Sequence, residues 1–80
     1  SMIILVINPG STSTKIAFFD GDKNIYSDNI AHDPAKIREF PSIFSQYDFR
    51  YQEILKKIPK DLKPVAIIGR GGYIKPVKSG

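Results

Sequence analysis

The run Ile3-Ile4-Leu5-Val6-Ile7 carries no polar alternation, and it restricts the fold more sharply than any other stretch of the chain. β-Branched residues favour an extended backbone, and apolar side chains on both sides of it belong to a strand in the middle of a sheet, covered on both faces. The run is five residues long, far short of the roughly eighteen that a membrane-spanning helix needs. No basic stretch precedes it and Asn8-Pro9-Gly10 follows at once, so it is not a secretory leader. A cytoplasmic protein with no membrane partner is expected. Ser1 before Met2 reads as an expression scar, which leaves residues 2–80 as the unit to be folded.

Turn signals divide the rest. Asn8-Pro9-Gly10-Ser11 interrupts the first strand, and Lys15 to Asp20 resumes strand composition with Ile16, Ala17, Phe18 and Phe19. A tight turn at Asp20-Gly21-Asp22 predicts an antiparallel return through Asn24 to Ala31, whose polar content suits a sheet edge. Asp33-Pro34 has the form of an N-cap followed by a first-turn proline. Ile37, Phe40 and Phe44 then repeat at helical spacing, with a break expected at Pro41. A second helix is clearer. Tyr47, Tyr51, Ile54, Leu55 and Ile58 fall at i, i+4, i+7, i+8 and i+11 as one apolar stripe, which assigns Arg50, Glu53, Lys56 and Lys57 to the remaining surface. Pro59 ends it. Tyr47, Phe49 and Tyr51 read as core packing, and His32 as a structural or surface residue.

Val65-Ala66-Ile67-Ile68 is a second continuous apolar run. The helical segment before it predicts a right-handed crossover, placing this strand parallel to the first and beside it. Beyond it the chain passes through Gly69-Arg70-Gly71-Gly72 into a basic tail for which no further element is expected. The fold class is thus α/β: a three-stranded antiparallel meander, helices, and a strand parallel to strand one.

Composition narrows the function classes. With 80 residues and no cysteine, the chain has no disulfide framework or thiolate metal site, and a domain this small buries only about 60% of its unfolded surface. The net charge of +4 does not indicate nucleic acid, since Lys56, Lys57, Lys60 and Lys63 gather at the end of the second helix, where they complement its dipole. No basic run is interleaved with aromatics as in a single-strand platform.

The chemistry lies in the first turn. A Gly-, Ser- and Thr-rich turn after a buried strand can aim several N–H groups and hydroxyls at one anion, and Gly10 permits close approach. Lys15 adds a point charge suited to phosphate, and Asn8 offers an amide where a carboxylate would add negative charge. The Walker pattern fails for want of its second glycine, and a hairpin rather than a helix follows. Arg70 stands just past the second buried strand, at the end where open α/β sheets bind ligands, and can grip a carboxylate or phosphoryl group with two nitrogens.

The segment Val6-Ile7-Asn8-Pro9-Gly10-Ser11-Thr12-Ser13-Thr14-Lys15 resembles the first phosphate motif of the acetate and butyrate kinase family. Ala66-Ile67-Ile68-Gly69-Arg70-Gly71-Gly72-Tyr73-Ile74-Lys75-Pro76 resembles that family's Gly-Arg-Gly-Gly segment, in the form of its butyrate branch. The resemblance implies a ribonuclease H-like, actin-like ATPase fold and phosphoryl transfer from ATP, with magnesium, to a short-chain carboxylate. It also implies that Asn8, Gly10, Ser11, Thr12, Ser13 and Lys15 surround the ATP phosphates. Arg70 and Asn8 would be the catalytic residues, Arg70 binding the carboxylate or the transferring phosphoryl group, and no protein metal ligand is expected. Lys75 and Lys78 read as solvated, although Lys75 matches the family segment and could face the anionic cleft.

Family members are several times longer. The chain is therefore expected to be the N-terminal part of such a kinase domain, inactive alone and a homo-oligomer through uncovered apolar faces. The alternatives are a sugar kinase or ATPase of the same superfamily, in which Asp usually stands where Asn8 is, and a non-catalytic anion-binding module.

Overall fold

In the computed structural model, which describes residues 2–70 and 72–77, the chain forms one five-stranded mixed sheet with two helices. The strands are β1 (Ile3–Pro9), β2 (Ser13–Asp20), β3 (Lys23–Ala31), β4 (Ala66–Gly69) and β5 (Tyr73–Pro76). Their order across the sheet is β3-β2-β1-β4-β5, so the apolar first run is central. β1 pairs antiparallel with β2 and parallel with β4, in register from Ile4 with Ala66 to Ile7 with Gly69. This is the ribonuclease H-like arrangement that the sequence predicts.

Helix α1 (Pro34–Ile37) is a single turn, shorter than the spacing of Ile37, Phe40 and Phe44 implies. Asp33 caps it by accepting from the Ala35 N–H, and the chain breaks before Pro41 as expected. Ser42 then starts α2 (Ile43–Lys57) with a reciprocal capping pair to Ser45. Lys60 Nζ donates to the Leu55 carbonyl at 3.1 Å, so one of the clustered lysines does serve the helix end.

Three features depart from the expectations. Where a featureless tail was expected, β5 adds an antiparallel edge strand to β4 through a turn in which Gly72 takes φ 91°, a region open to glycine. Helix α2 covers only one face of β1: Leu5 and Ile7 are buried with Phe18, Ile54 and Ile67, whereas Ile4 and Val6 on the other face are half-buried. On that same open face Ile68 and Ile74 are exposed. The third departure is Arg50, which is 1% exposed rather than on the surface. Ser1, Gly71 and Lys78 lie outside the described residues.

Candidate phosphate site

The β1–β2 connection is a short loop closed on itself. The Gly10 N–H donates to the Ser13 carbonyl at 2.7 Å, and the flanking residues Pro9 and Thr14 are the last register pair of the two strands. A Cβ on Gly10 would stand 3.2 Å from the Ser13 carbonyl oxygen, a tight contact that the loop would have to yield to accommodate. Asn8 and Lys15 face each other in register just below it, both exposed. Gly10, Ser11 and Thr12 form the exposed rim, and Ser13 begins β2 half-buried.

Arg70 follows Gly69, whose register partner on the parallel strand is Ile7. Asn8 and Arg70 are therefore the next residues at the carboxyl ends of neighbouring strands, and the hairpin and the arginine share one end of the sheet. The Arg70 side chain is exposed, but its carbonyl accepts from the Tyr47 hydroxyl at 3.0 Å. The Tyr47 ring stacks on Tyr73 with centroids 4.1 Å apart and planes 7° from parallel. Gly69 lets that ring approach, since a Cβ there would lie 3.1 Å from both Cε1 and Oη of Tyr47. Tyr47 is thus core, as its spacing predicts, and it also ties the Arg70 turn to α2. Burial raises its hydroxyl pKa above 10.0, so it remains a donor at neutral pH.

Beneath the hairpin lies a buried polar floor that the sequence reading missed. Arg50 Nη1 donates to the Ser13 carbonyl and to Thr14 Oγ1, each at 2.9 Å. Its Nη2 donates to the Gly10 carbonyl at 2.6 Å, to the Ser11 carbonyl at a longer 3.4 Å, and to Gln46 Oε1 at 2.7 Å. Nε also reaches Gln46 Oε1, at 3.0 Å. Every donor of the guanidinium is used. Burial lowers its pKa from the ordinary arginine value, yet an arginine keeps its charge in a protein.

Thr14 Oγ1 also lies 2.7 Å from His32 Nε2. His32 is buried and structural, while its Nδ1 has no partner among the described residues. Burial first, and the Arg50 charge second, lower its pKa below 6.5, and the ring is held neutral. The His32 backbone N–H donates to the Thr12 carbonyl at 2.9 Å, so the end of β3 braces the loop as well.

One sequence signal could have revealed this floor. Arg50 falls three residues after Tyr47 and four before Ile54, squarely on the buried stripe, and a charge at such a position must find acceptors. Thr14 likewise precedes Ile16 and Phe18 on the inward face of β2.

The loop offers anion-binding groups. Among the described residues the Ser11 and Thr12 N–H groups donate to no protein acceptor, and Lys15 stands beside them free of any ion pair. Among the same residues no cluster of three or more His, Cys, Asp or Glu could hold a metal ion. The N–H groups, hydroxyls and ammonium of this loop suit an anion such as phosphate.

No protein-family model matches the chain. It is similar to curated proteins, however: 47% identical over 81 residues to the probable butyrate kinase of Coprothermobacter proteolyticus, with 96% of this chain and 23% of that protein covered. To butyrate kinase 1 of Clostridium acetobutylicum it is 41% identical, with the same coverage. To the probable butyrate kinase of Listeria monocytogenes serovar 1/2a it is 39% identical, with 100% of this chain and 24% of that protein covered. The chain thus spans about a quarter of the length of the curated relatives it matches.

Proposed function

We propose, from the premise that this chain belongs to the butyrate kinase family, that it supplies the phosphate hairpin and the acceptor-side arginine of a carboxylate kinase. Residues 2–80 are then the N-terminal part of the kinase domain. The reaction is transfer of the ATP γ-phosphoryl group to a short-chain carboxylate: a carboxylate oxygen bonds to the γ-phosphorus, the bond to the ADP oxygen breaks, and an acyl phosphate leaves with ADP. The nucleophile is already anionic at neutral pH, so no residue has to act as a general base.

The obstacle is charge, because two anions must meet, and oriented donors and cations are what lower that barrier. The Ser11 and Thr12 N–H groups, the Ser13 hydroxyl and Lys15 hold the nucleotide phosphates, with Gly10 keeping the loop tight. The Asn8 amide donates to a phosphate oxygen without adding negative charge. Arg70 holds the carboxylate or the phosphoryl group in transfer. Magnesium, when bound with the nucleotide, would neutralise part of the phosphate charge. The observation that carries this reading is the shared sheet end: an outward-facing hairpin and an exposed arginine follow register-paired residues of two parallel strands.

A chimera tests it. The chain replaces the segment it matches in butyrate kinase 1 of Clostridium acetobutylicum, and acyl phosphate is trapped as the hydroxamate. Activity with ATP and butyrate is expected, falling by roughly a hundredfold or more in Arg70→Ala, as for loss of a charged transition-state donor. A folded chimera whose activity ignores Arg70→Ala would sink the assignment. The 80-residue chain by itself is expected to form no hydroxamate.

A further inference from the structure

Arg50 is the largest fully buried side chain among the described residues, and its guanidinium donates to the hairpin and to Gln46. Taking a guanidinium out of water costs several kcal/mol unless both its donors and its charge are answered. Here the donors are answered in full, and the charge is not. The ion pairs among the described residues are Lys56 with Glu53 and Lys75 with Asp48, and no carboxylate contacts Arg50. Its acceptors are instead the loop's own carbonyls, those of Gly10, Ser11 and Ser13, with Thr14 Oγ1 and Gln46 Oε1 completing the shell.

This choice of acceptors fixes the direction of the loop's peptide planes. Across a planar trans peptide the C=O and the following N–H point in opposite directions, and the chain has no cis bonds among the described residues. Drawing the Gly10 carbonyl in to 2.6 Å therefore turns the Ser11 N–H outward, and the longer Ser11 contact does the same for the Thr12 N–H. Neither N–H group has a protein acceptor among the described residues.

We propose that Arg50 is the positioning residue of the phosphate hairpin: its fork holds the loop carbonyls inward so that the Ser11 and Thr12 N–H groups face the phosphate, and its unmatched charge favours an anion above the loop. This rests on the phosphate-binding reading of the hairpin and extends it to a residue that never contacts the ligand. Gln46, one helical turn before Arg50, is the second element, since it receives both Nε and Nη2 and sets the tilt of the fork.

The test uses the 15N-labelled chain and pyrophosphate. In the wild type, the Ser11 and Thr12 amide signals are expected to shift saturably. Arg50→Met is expected to weaken pyrophosphate binding by roughly tenfold or more, the worth of one charge-assisted hydrogen bond. It should also speed hydrogen exchange at the Gly10 and His32 amides, whose acceptors are loop carbonyls. Arg50→Lys keeps the charge but not the fork, so it should lose the same protection while retaining part of the affinity.

Pyrophosphate binding by Arg50→Met at wild-type strength would overturn the proposal. Equal affinity losses in the Lys and Met variants would overturn the part assigned to charge. Should Arg50→Met fail to fold, Gln46→Leu takes its place with an expected loss of roughly threefold, and undiminished binding there overturns the proposal. If the wild type itself ignores pyrophosphate, the phosphate reading falls. The loop-ordering role is then judged alone, by whether Gly10 and His32 exchange faster in Arg50→Met.

Discussion

Helix α2 buries two chemistries beside one another, with Tyr47 joining the core from within its polar half. Toward its N-terminus Gln46 and Arg50 form a polar floor under a loop of backbone carbonyls; toward its C-terminus Ile54 and Ile58 join the apolar core. Beyond them Tyr51, Leu55, Leu62 and Val77 line an apolar cleft of about 550 Å³. The same helix thus holds the sheet by hydrophobic burial at one end and shapes a loop by directed hydrogen bonds at the other. Burial is non-directional and tolerates approximate fit, whereas a guanidinium fork fixes the orientation of each group it touches. A site that must aim N–H groups at an anion needs the second kind of support.

Substitutions can separate the two halves. Ile54, with no exposed surface, should lose the most: Ile54→Ala is expected to cost about 2–5 kcal/mol in urea unfolding, while the folded fraction keeps its pyrophosphate response. If that response vanished at little cost in stability, the division of labour would be wrong. Gly69→Ala is next, at about 1–3 kcal/mol, because its Cβ would press on the Tyr47 ring at 3.1 Å. The same melt, combined with the chemical shift of the Arg70 amide, would show whether the Tyr47 tie to the turn also loosens.

The smallest effect is a pH dependence confined to the polar half. His32 has a folded pKa below its ordinary 6.5, through burial and then the Arg50 charge, with Lys57 adding to the effect and Glu53 opposing it. The unfolded chain therefore binds the proton more readily, and stability present above pH 6.5 should decline as the pH falls from there toward the lower folded value. Comparing unfolding midpoints at neutral and mildly acidic pH in the wild type and in His32→Asn checks this. A decline of equal size in both would remove His32 from the account.

Much of the architecture was legible because it follows from local patterning. The unbroken apolar runs marked β1 and β4, the turn at Asp20-Gly21-Asp22 marked the return to β3, and Pro41 and Pro59 bounded the second helical segment. The strand β5 was not legible, since Tyr73-Ile74-Lys75-Pro76 is short and its pairing exists only because β4 presents a free edge. The hairpin could be read as a phosphate loop from its composition. The side chain that shapes it could not, because Arg50 is 40 residues from Gly10 in sequence and meets it only after the crossover closes.

Residue types and spacings by themselves determined the central strand, the parallel crossover, the Gly/Ser/Thr turn and the arginine after β4. Each is a local property, set by backbone preference or by the period of apolar residues. The tertiary structure decided which face of the sheet is covered, that Thr14, His32 and Arg50 share one buried network, and which way the loop peptides point. Those outcomes depend on desolvation. A charge on a helix is indifferent to its neighbours while it is in water, and it acquires obligatory partners only when packing removes the water.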